Sequence, residues 1–227
     1  MNKQNTICAI ATAPGGALGI IRVSGPEAIS IADSIFTPVG SDKRKLQERQ
    51  PYTLTFGRIT DGSGNIIDEV LISIFRAPHS YTGEDSVEIS CHGSSYILQQ
   101  VMQLLMKSGC TPAAPGEYTQ RAFLNGKMDL SQAEAVADLI ASHSEASHRI
   151  AMNQMRGAFS RELAALRSQL LHLTSLMELE LDFSDHEELE FADRSELLNV
   201  ADKIRQTVSS LVGSFRVGNA IKNGVPV

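Results

Sequence analysis

The stretch from Tyr52 to Phe75, YTLTFGRITDGSGNIIDEVLISIF, carries the clearest structural signal in the chain. Two runs rich in β-branched and aromatic residues, 52–60 and 66–75, enclose the short polar segment DGSGN at 61–65. Val, Ile, Thr, Tyr and Phe are typical of strands, and Gly, Asn and Asp supply the backbone conformations of tight turns. This arrangement predicts an antiparallel β-hairpin.

The N-terminal side of the hairpin predicts two further strands and a helix. Residues 6–11 and 18–23 are short apolar runs around the turn PGGALG at 14–19. This turn lacks the Lys-Ser/Thr pair of a P-loop, so we interpret it as a tight turn rather than a nucleotide site. A helix follows, with Pro26 expected at its first position. The apolar stripe of this helix consists of Ala28, Ile29, Ile31, Ala32 and Ile35.

The C-terminal side of the hairpin predicts a strand that carries candidate site residues. Residues 86–91 alternate apolar and polar side chains, which places Glu88 on the face opposite Val87 and Ile89. This pattern fits a solvent-facing Glu88 as well as a ligand-binding one. His92 has no His or Cys at a metal-ligand spacing, so metal binding is not expected there. A helix over 94–107 follows the strand.

Strand signals disappear beyond residue 118, and the pattern becomes helical. Ser131 and Glu134 form a Ser-x-x-Glu capping box, which is expected to open a long helical region. An acidic break at 184–188 separates a later helical seam from a helix that is capped at 193–196 and runs to about Val217. The seam consists of Leu163, Leu166, Leu170, Leu173 and Met177. We therefore expect an α+β part followed by an all-α part.

The composition of the chain indicates its cellular compartment and limits the classes of partner that it can bind. Its 227 residues carry a formal net charge of −6, which argues against a protein that holds nucleic acid by itself. The basic cluster at 43–49 fits a solvated loop. Three widely spaced cysteines, Cys8, Cys91 and Cys110, fit a reducing cytoplasm rather than a disulfide framework or a zinc site. The sequence shows no signal peptide and no membrane span, so we expect a cytoplasmic protein without a membrane partner.

The patterns alone leave two classes of function open. One is a small-ligand-binding module of a larger enzyme, and the other is a helical scaffold or dimerisation protein without a ligand. The final residues, GVPV at 224–227, are typical of the start of a strand, and the long helices lack partners of equal length. We therefore expect further sequence beyond this chain.

Several stretches, taken in order, resemble the MnmE (TrmE) family of tRNA-modification GTPases. They are GIIRVSG at 19–25, YTGED at 81–85, HG at 92–93, PGEYT at 115–119, RAFLNGK at 121–127, DLSQAEA at 129–135 and the final GVPV. The resemblance implies an α+β folate-binding domain at 1–118, similar to the folate domain of the glycine-cleavage T-protein. It also implies the first, incomplete part of an all-α helical domain at 119–218. Residues 219–227 would then lead into an absent GTPase domain.

The resemblance further implies a chemistry and a set of partners. In this family a tetrahydrofolate derivative, 5-formyl- or methylene-tetrahydrofolate, supplies a one-carbon unit. The enzyme and its partner protein MnmG use it to add an aminomethyl or carboxymethylaminomethyl group at C5 of the wobble uridine of certain tRNAs. GTP hydrolysis with Mg²⁺ and K⁺ drives the cycle in the full-length protein. A homodimer through the first domain is also implied, with candidate contacts on the first strands and on the hairpin at 52–75.

The folate-contacting positions of the family match Arg22, Glu88 and Lys127. We assign Glu88 to the two neighbouring N–H donors of the pterin, and Arg22 and Lys127 to carbonyl or glutamate-tail oxygens. Because the sequence contains no Gly-x4-Gly-Lys-Ser/Thr motif, the chain by itself is expected to be inactive as a GTPase. The alternative is a stand-alone folate-dependent protein similar to an aminomethyltransferase, against which the long helical extension argues.

Overall fold

The computed structural model of the chain describes residues 5–13, 15–182 and 194–223. The chain divides into two units, 1–128 and 129–227. The sequence placed this boundary near residue 118. The division lies later because the segment after residue 116 binds to the first unit. Its Tyr118 hydroxyl, for example, donates a hydrogen bond of 2.6 Å to the main-chain oxygen of Arg22.

The described residues of the first unit contain a seven-stranded sheet. Its strands are β1 (Ile7–Ile10), β2 (Leu18–Ser24), β3 (Phe36–Pro38), β4 (Leu54–Thr60), β5 (Ile66–Phe75), β6 (Ser86–His92) and β7 (Thr111–Pro112). Their order is β3-β4-β5-β6-β2-β1-β7, and all neighbours are antiparallel except β1 and β7. The predicted hairpin is confirmed as β4 and β5. In its turn the Asp61 carboxylate accepts hydrogen bonds from the main-chain N–H groups of Ser63 and Asn65.

Two helices cover one face of this sheet. The helices of the first unit are α1 (Ala28–Ile35), α2 (Ser95–Lys107) and α3 (Glu117–Leu124), with one 3₁₀ turn at Leu46–Glu48. The predicted apolar stripe of α1 is buried in full, and α1 and α2 share a core with the inward residues of β2, β5 and β6. The three cysteines are buried as well. Burial of this aliphatic surface is the main term that stabilises the unit.

The expected start of α1 is wrong by two residues. The helix begins at Ala28, so Pro26 lies before its first turn. Residues 25–27 instead form a turn in which the Glu27 N–H donates to Thr6 Oγ1 at 3.0 Å. Gly25 permits this turn because its φ is +137°, a conformation that other residues rarely adopt.

The opposite face of the sheet, here called the open face, carries the alternate strand residues. It is the face of Arg22, Glu88, Leu71, Phe56 and Leu54. The last three are apolar yet exposed, at 43% for Leu71, 45% for Phe56 and 66% for Leu54. The open face therefore combines a charged pair with an uncovered apolar strip.

The described residues of the second unit form four helices and the short connections between them. Its helices are α4 (Leu130–Ile140), α5 (Glu145–Met155), α6 (Ala158–Asp182) and α7 (Arg194–Asn223). The predicted capping box at Ser131 and Glu134 is wrong. The box is formed by Asp129 and Gln132, because Asp129 has an extended backbone and its carboxylate accepts from the Gln132 N–H at 2.9 Å. A second box, Ser144 with Ser147, begins α5 and was not predicted.

The predicted seam lies on α6. Leu163, Leu170 and Met177 remain exposed, whereas Leu166 and Leu173 are half-buried. The acidic break at 184–188 and the final GVPV lie outside the described residues. The last predicted helix is confirmed as α7, although it extends to Asn223 rather than to about Val217. None of the described helices is long and apolar enough to cross a membrane.

Candidate functional site

Arg22 and Glu88 form an ion pair in the middle of the open face. They stand directly opposite each other in the antiparallel pair of β2 and β6. Arg22 donates from Nε and from Nη2 to the same oxygen, Glu88 Oε1, at 2.9 and 2.7 Å. Both side chains are about a quarter exposed, 28% for Arg22 and 26% for Glu88. The structure thus brings together two of the three residues singled out in the sequence.

Two tyrosine rings flank the Arg22 guanidinium. Its Cζ atom lies 5.3 Å from the ring centroid of Tyr81 and 5.6 Å from that of Tyr118. Tyr81 comes from the loop at 76–85, and Tyr118 comes from α3. Such cation–π contacts contribute roughly 0.5–1 kcal/mol each at partly exposed sites, so the guanidinium is held in one place before any ligand arrives.

Hydrogen bonds fix both tyrosines. The Tyr81 and Thr119 hydroxyls lie 2.9 Å apart, within hydrogen-bond distance, and the Tyr118 hydroxyl donates to the main chain of Arg22. Burial raises the pKa of Tyr118, the nearby Cys8 thiol adds to this shift, and Arg22 opposes part of it. Tyr118 is therefore a neutral hydrogen-bond donor at physiological pH.

Lys127, the third residue from the sequence, lies beside the loop that carries Tyr81. Its Nζ is exposed and donates to the main-chain oxygen of Pro78 at 2.9 Å. The Lys127 stem passes close to Gly83, where a Cβ atom would lie 3.2 Å from Lys127 Cγ. Gly83 also has a φ of +79°, so this position favours glycine for two independent reasons.

The glycine turn before β2 packs backbone against backbone. The Gly93 N–H donates to the Ala17 oxygen at 2.9 Å, and a Cβ on Gly93 would lie only 1.9 Å from the Gly16 oxygen. The small glycine residues thus allow two segments of the chain to approach each other closely. It holds the start of β2 next to the end of β6, and so supports the register that pairs Arg22 with Glu88.

Sequence reasoning missed three side chains near these groups. Tyr81 and Tyr118 lie in the quoted motifs, but nothing in the pattern indicated that their rings contact Arg22. Asp68 was also missed: its carboxylate binds His92 twice, at Nδ1 (2.7 Å) and at the main-chain N–H (2.8 Å). The sequence did contain an indication of Asp68, because this acidic residue occupies an inward position in the alternation of β5. In the structure its side chain is almost fully buried.

The arrangement on the open face suits a planar ligand with adjacent N–H donors. Among the residues that the structure describes, none donates a hydrogen bond to Glu88 Oε2, which leaves this oxygen for a ligand. The guanidinium of Arg22 presents a planar cation, and the tyrosine rings offer apolar edges beside it. An acceptor, a donor and aromatic surface therefore lie within one small area.

Two family models match the chain in order. The model described as "GTP-binding protein TrmE N-terminus" matches residues 6–127, and the model described as "MnmE helical domain" matches residues 130–226. Together they meet close to the division between the two units of the structure.

Curated proteins of similar sequence agree with the two family models. A protein of Bacteroides thetaiotaomicron named tRNA modification GTPase MnmE is 73% identical over 225 residues, which cover 99% of this chain and 48% of the relative. Relatives of the same name from Phocaeicola vulgatus and Flavobacterium johnsoniae are 63% identical over 259 residues and 55% identical over 228 residues. These two alignments cover all of this chain and 51% and 48% of the relatives. The chain therefore spans about half the length of the curated relatives that it matches.

Proposed function

The chain belongs to the MnmE (TrmE) family of tRNA-modification GTPases, and on that basis we propose that it forms the folate-binding and first helical parts of such an enzyme. The full-length protein would act with MnmG on the wobble uridine of certain tRNAs and would hydrolyse GTP with Mg²⁺ and K⁺. Its tRNA substrates agree with a cytoplasmic location. Within that enzyme, this chain would bind the tetrahydrofolate one-carbon donor and would dimerise.

The observation that carries the folate proposal is the Arg22–Glu88 pair on the open face, together with the two tyrosine rings beside Arg22. A pterin has an amino group and a ring N–H side by side, and a carboxylate is their natural acceptor. At its other end the folate carries a glutamate tail, whose carboxylates favour cationic partners. The residues present here therefore fit both ends of the ligand, and bound tetrahydrofolate would supply the one-carbon unit.

Glu88 is the group that would recognise the pterin. Its Oε1 accepts two hydrogen bonds from Arg22, which orient the carboxylate, while Oε2 would accept from the ligand. Arg22 can keep its contacts with the rings of Tyr81 and Tyr118 and direct an N–H group to a ligand carbonyl. Neither side chain would then have to move far when the ligand binds, and pre-organisation of this kind favours binding.

Lys127 is the group that would hold the tail. Its ammonium group is exposed and its present acceptor, the Pro78 oxygen, is a neutral carbonyl. A carboxylate is a stronger partner for an ammonium group than a carbonyl is. Exposure limits this gain, so Lys127 contributes less to affinity than Glu88.

Calorimetric titration of the 227-residue chain tests the folate proposal. We expect saturable binding of 5-formyltetrahydrofolate. The matched control ligand is p-aminobenzoylglutamate, which has the tail but no pterin and should bind much more weakly. No saturable binding of 5-formyltetrahydrofolate at millimolar concentration would refute the proposal. Equal binding of the two ligands would refute pterin recognition by Glu88.

The open face also supports the dimer proposal. Leu54, Phe56 and Leu71 form an exposed apolar strip on neighbouring strands, and a two-fold contact would use this strip on both copies. A second exposed surface, the seam on α6, offers another route to association. Leu71 lies on the open face and Leu170 lies on the seam, so a substitution at each residue tests one route. The two residues are well matched because their exposed fractions are almost equal, at 43% for Leu71 and 46% for Leu170.

Light scattering on the full chain distinguishes these routes. We expect a dimer that Leu71→Glu converts to a monomer and that Leu170→Glu leaves intact. Loss of the dimer in Leu170→Glu alone would assign association to the helical seam. A wild-type monomer at high concentration would count against dimerisation through the open face.

A further inference from the structure

Arg121 is a buried cation that joins two segments of the first unit. Only 7% of its side chain is exposed. Its Nη1 lies 3.2 and 3.3 Å from the two carboxylate oxygens of Glu84, and its Nε and Nη2 donate to Glu117 Oε1 at 3.2 and 2.8 Å. A buried charge is stable only when it is paired, so the guanidinium holds both carboxylates in place. Glu84 belongs to the loop at 76–85, and Glu117 begins α3.

The same network reaches the strand that carries Arg22. The Ser24 hydroxyl donates to Glu84 Oε2 at 2.8 Å and lies 2.7 Å from the Thr82 hydroxyl. Burial tends to raise the pKa of Glu117, but hydrogen bonds from the Ala114 N–H and from Arg121 outweigh it and lower that pKa overall. Glu84 and Glu117 both bind Arg121, which is the cation that they share.

These two segments are the ones that present the rings around Arg22. Tyr81 lies on the loop close to Glu84, and Tyr118 follows Glu117 directly in α3. We infer that Arg121 is a positioning residue for the Arg22–Glu88 site, because it fixes the loop and the helix that place the rings of Tyr81 and Tyr118 beside Arg22. Its effect on ligand affinity rests on the folate-binding role proposed above, whereas its effect on Arg22 does not.

Lysine cannot replace arginine in this position. The planar guanidinium directs N–H groups along different edges, so it can donate to Glu84 and to Glu117 at the same time. The ammonium group of lysine is a compact point charge and lacks this planar arrangement of donors. Arg121→Lys keeps the positive charge but loses one of the two carboxylates. Glu84→Gln is a milder change, since it retains the size of the side chain and leaves Glu117 paired.

Nuclear magnetic resonance of the ¹⁵N-labelled full chain tests the inference without any ligand. The Nε–H group of Arg22 donates to Glu88 and lies beside two aromatic rings, so its proton resonance is displaced by ring currents and protected from exchange. Its assignment follows from its loss in Arg22→Lys. We expect Arg121→Lys and Glu84→Gln to move this resonance toward the position of a solvent-exposed arginine.

Affinity and a matched control complete the test. We expect the same two variants to weaken binding of 5-formyltetrahydrofolate by about tenfold, within the range for residues coupled in one ion-pair network. The control is Arg58→Lys, which alters the exposed cross-strand pair with Glu69 and should change neither the Arg22 resonance nor the affinity. Thermal unfolding establishes that each variant is folded.

Two outcomes decide between the proposals. An unchanged Arg22 resonance in folded Arg121→Lys and Glu84→Gln would overturn the positioning role, whatever the affinity. A displaced resonance together with absent folate binding by the wild-type chain would refute the folate proposal and support the positioning role. If Arg121→Lys does not fold, Glu84→Gln alone provides the decisive measurement.

Discussion

Replacing Glu88 by alanine separates the contribution of this residue to stability from its contribution to binding. The Arg22–Glu88 pair is partly exposed, and pairs of this kind stabilise proteins by only about 0.2–1 kcal/mol. Arg22 also keeps its contacts with the rings of Tyr81 and Tyr118 after the change. We therefore expect Glu88→Ala to fold normally, with a small decrease in the free energy of unfolding.

The expected loss of ligand affinity is larger. If Glu88 Oε2 accepts from the pterin, its removal leaves a donor pair without a partner in a site that a ligand has desolvated. An unsatisfied group of this kind costs about 1–3 kcal/mol, which corresponds to roughly 5- to 150-fold in the dissociation constant. The effect on binding should thus exceed the effect on stability in the same variant.

The chain offers a closely matched control in Arg58 and Glu69. These residues also form a cross-strand ion pair on the open face, with Arg58 Nε 3.0 Å from Glu69 Oε1, and they are somewhat more exposed. Glu69→Ala should change stability by a similar or smaller amount and leave binding unaltered. Calorimetric titration with 5-formyltetrahydrofolate and chemical denaturation would be performed on both variants and on the wild type.

Two results would contradict the assigned role of Glu88. Wild-type affinity in a folded Glu88→Ala would remove Glu88 from the ligand site. Equal losses of affinity in Glu88→Ala and Glu69→Ala would mean that charge on the open face matters rather than a specific acceptor. In either case the assignment of Oε2 to the pterin is wrong.

Three further predictions concern the tail, the glycine turn and nucleotide binding. Lys127→Ala should weaken binding by about threefold or less, because the ammonium group is exposed. A greater loss than in Glu88→Ala would reverse the assigned roles. Gly93→Ala should destabilise the fold by about 1–3 kcal/mol, since the added Cβ would overlap the Gly16 oxygen. Gly16→Ala, whose Cβ would lie an ordinary 3.4 Å from its nearest neighbour, is the control, and equal melting temperatures would contradict the clash. The chain should not bind a fluorescent GTP analogue, and micromolar affinity would disprove this expectation.

The strands and the first helix were predictable because their signals are local. Alternation across β4 and β5, with turn-forming residues between them, is enough to specify a hairpin. The burial of Ala28, Ile29 and Ile31 follows from helical periodicity in the same way. The start of α4 shows the limit of this reasoning. Asp129 with Gln132 fits the capping pattern as well as Ser131 with Glu134 does, and only the extended backbone at Asp129 decides between them.

The candidate site was less accessible to sequence patterns because its members are far apart in the chain. The pairing of Arg22 with Glu88 depends on the register of β2 and β6, which no local pattern specifies. The contact between Tyr118 and Arg22 depends in addition on where α3 lies against the sheet. Resemblance identified Arg22, Glu88 and Lys127, but it did not indicate the rings or the network around Arg121.

The open face offers a physical reason why the proposed ligand binding and the proposed dimerisation would occur together. If a second copy covers Leu71 and Phe56, it also removes water from the neighbouring Arg22–Glu88 pair. Loss of water strengthens each hydrogen bond that Glu88 accepts from a ligand, but it would make an unpaired carboxylate costly. In the proposed dimer Arg22 would resolve this conflict, because it pairs with Glu88 Oε1 without a ligand. The site can therefore be desolvated in advance without an isolated buried charge, and Oε2 then binds a donor more strongly than it would in water.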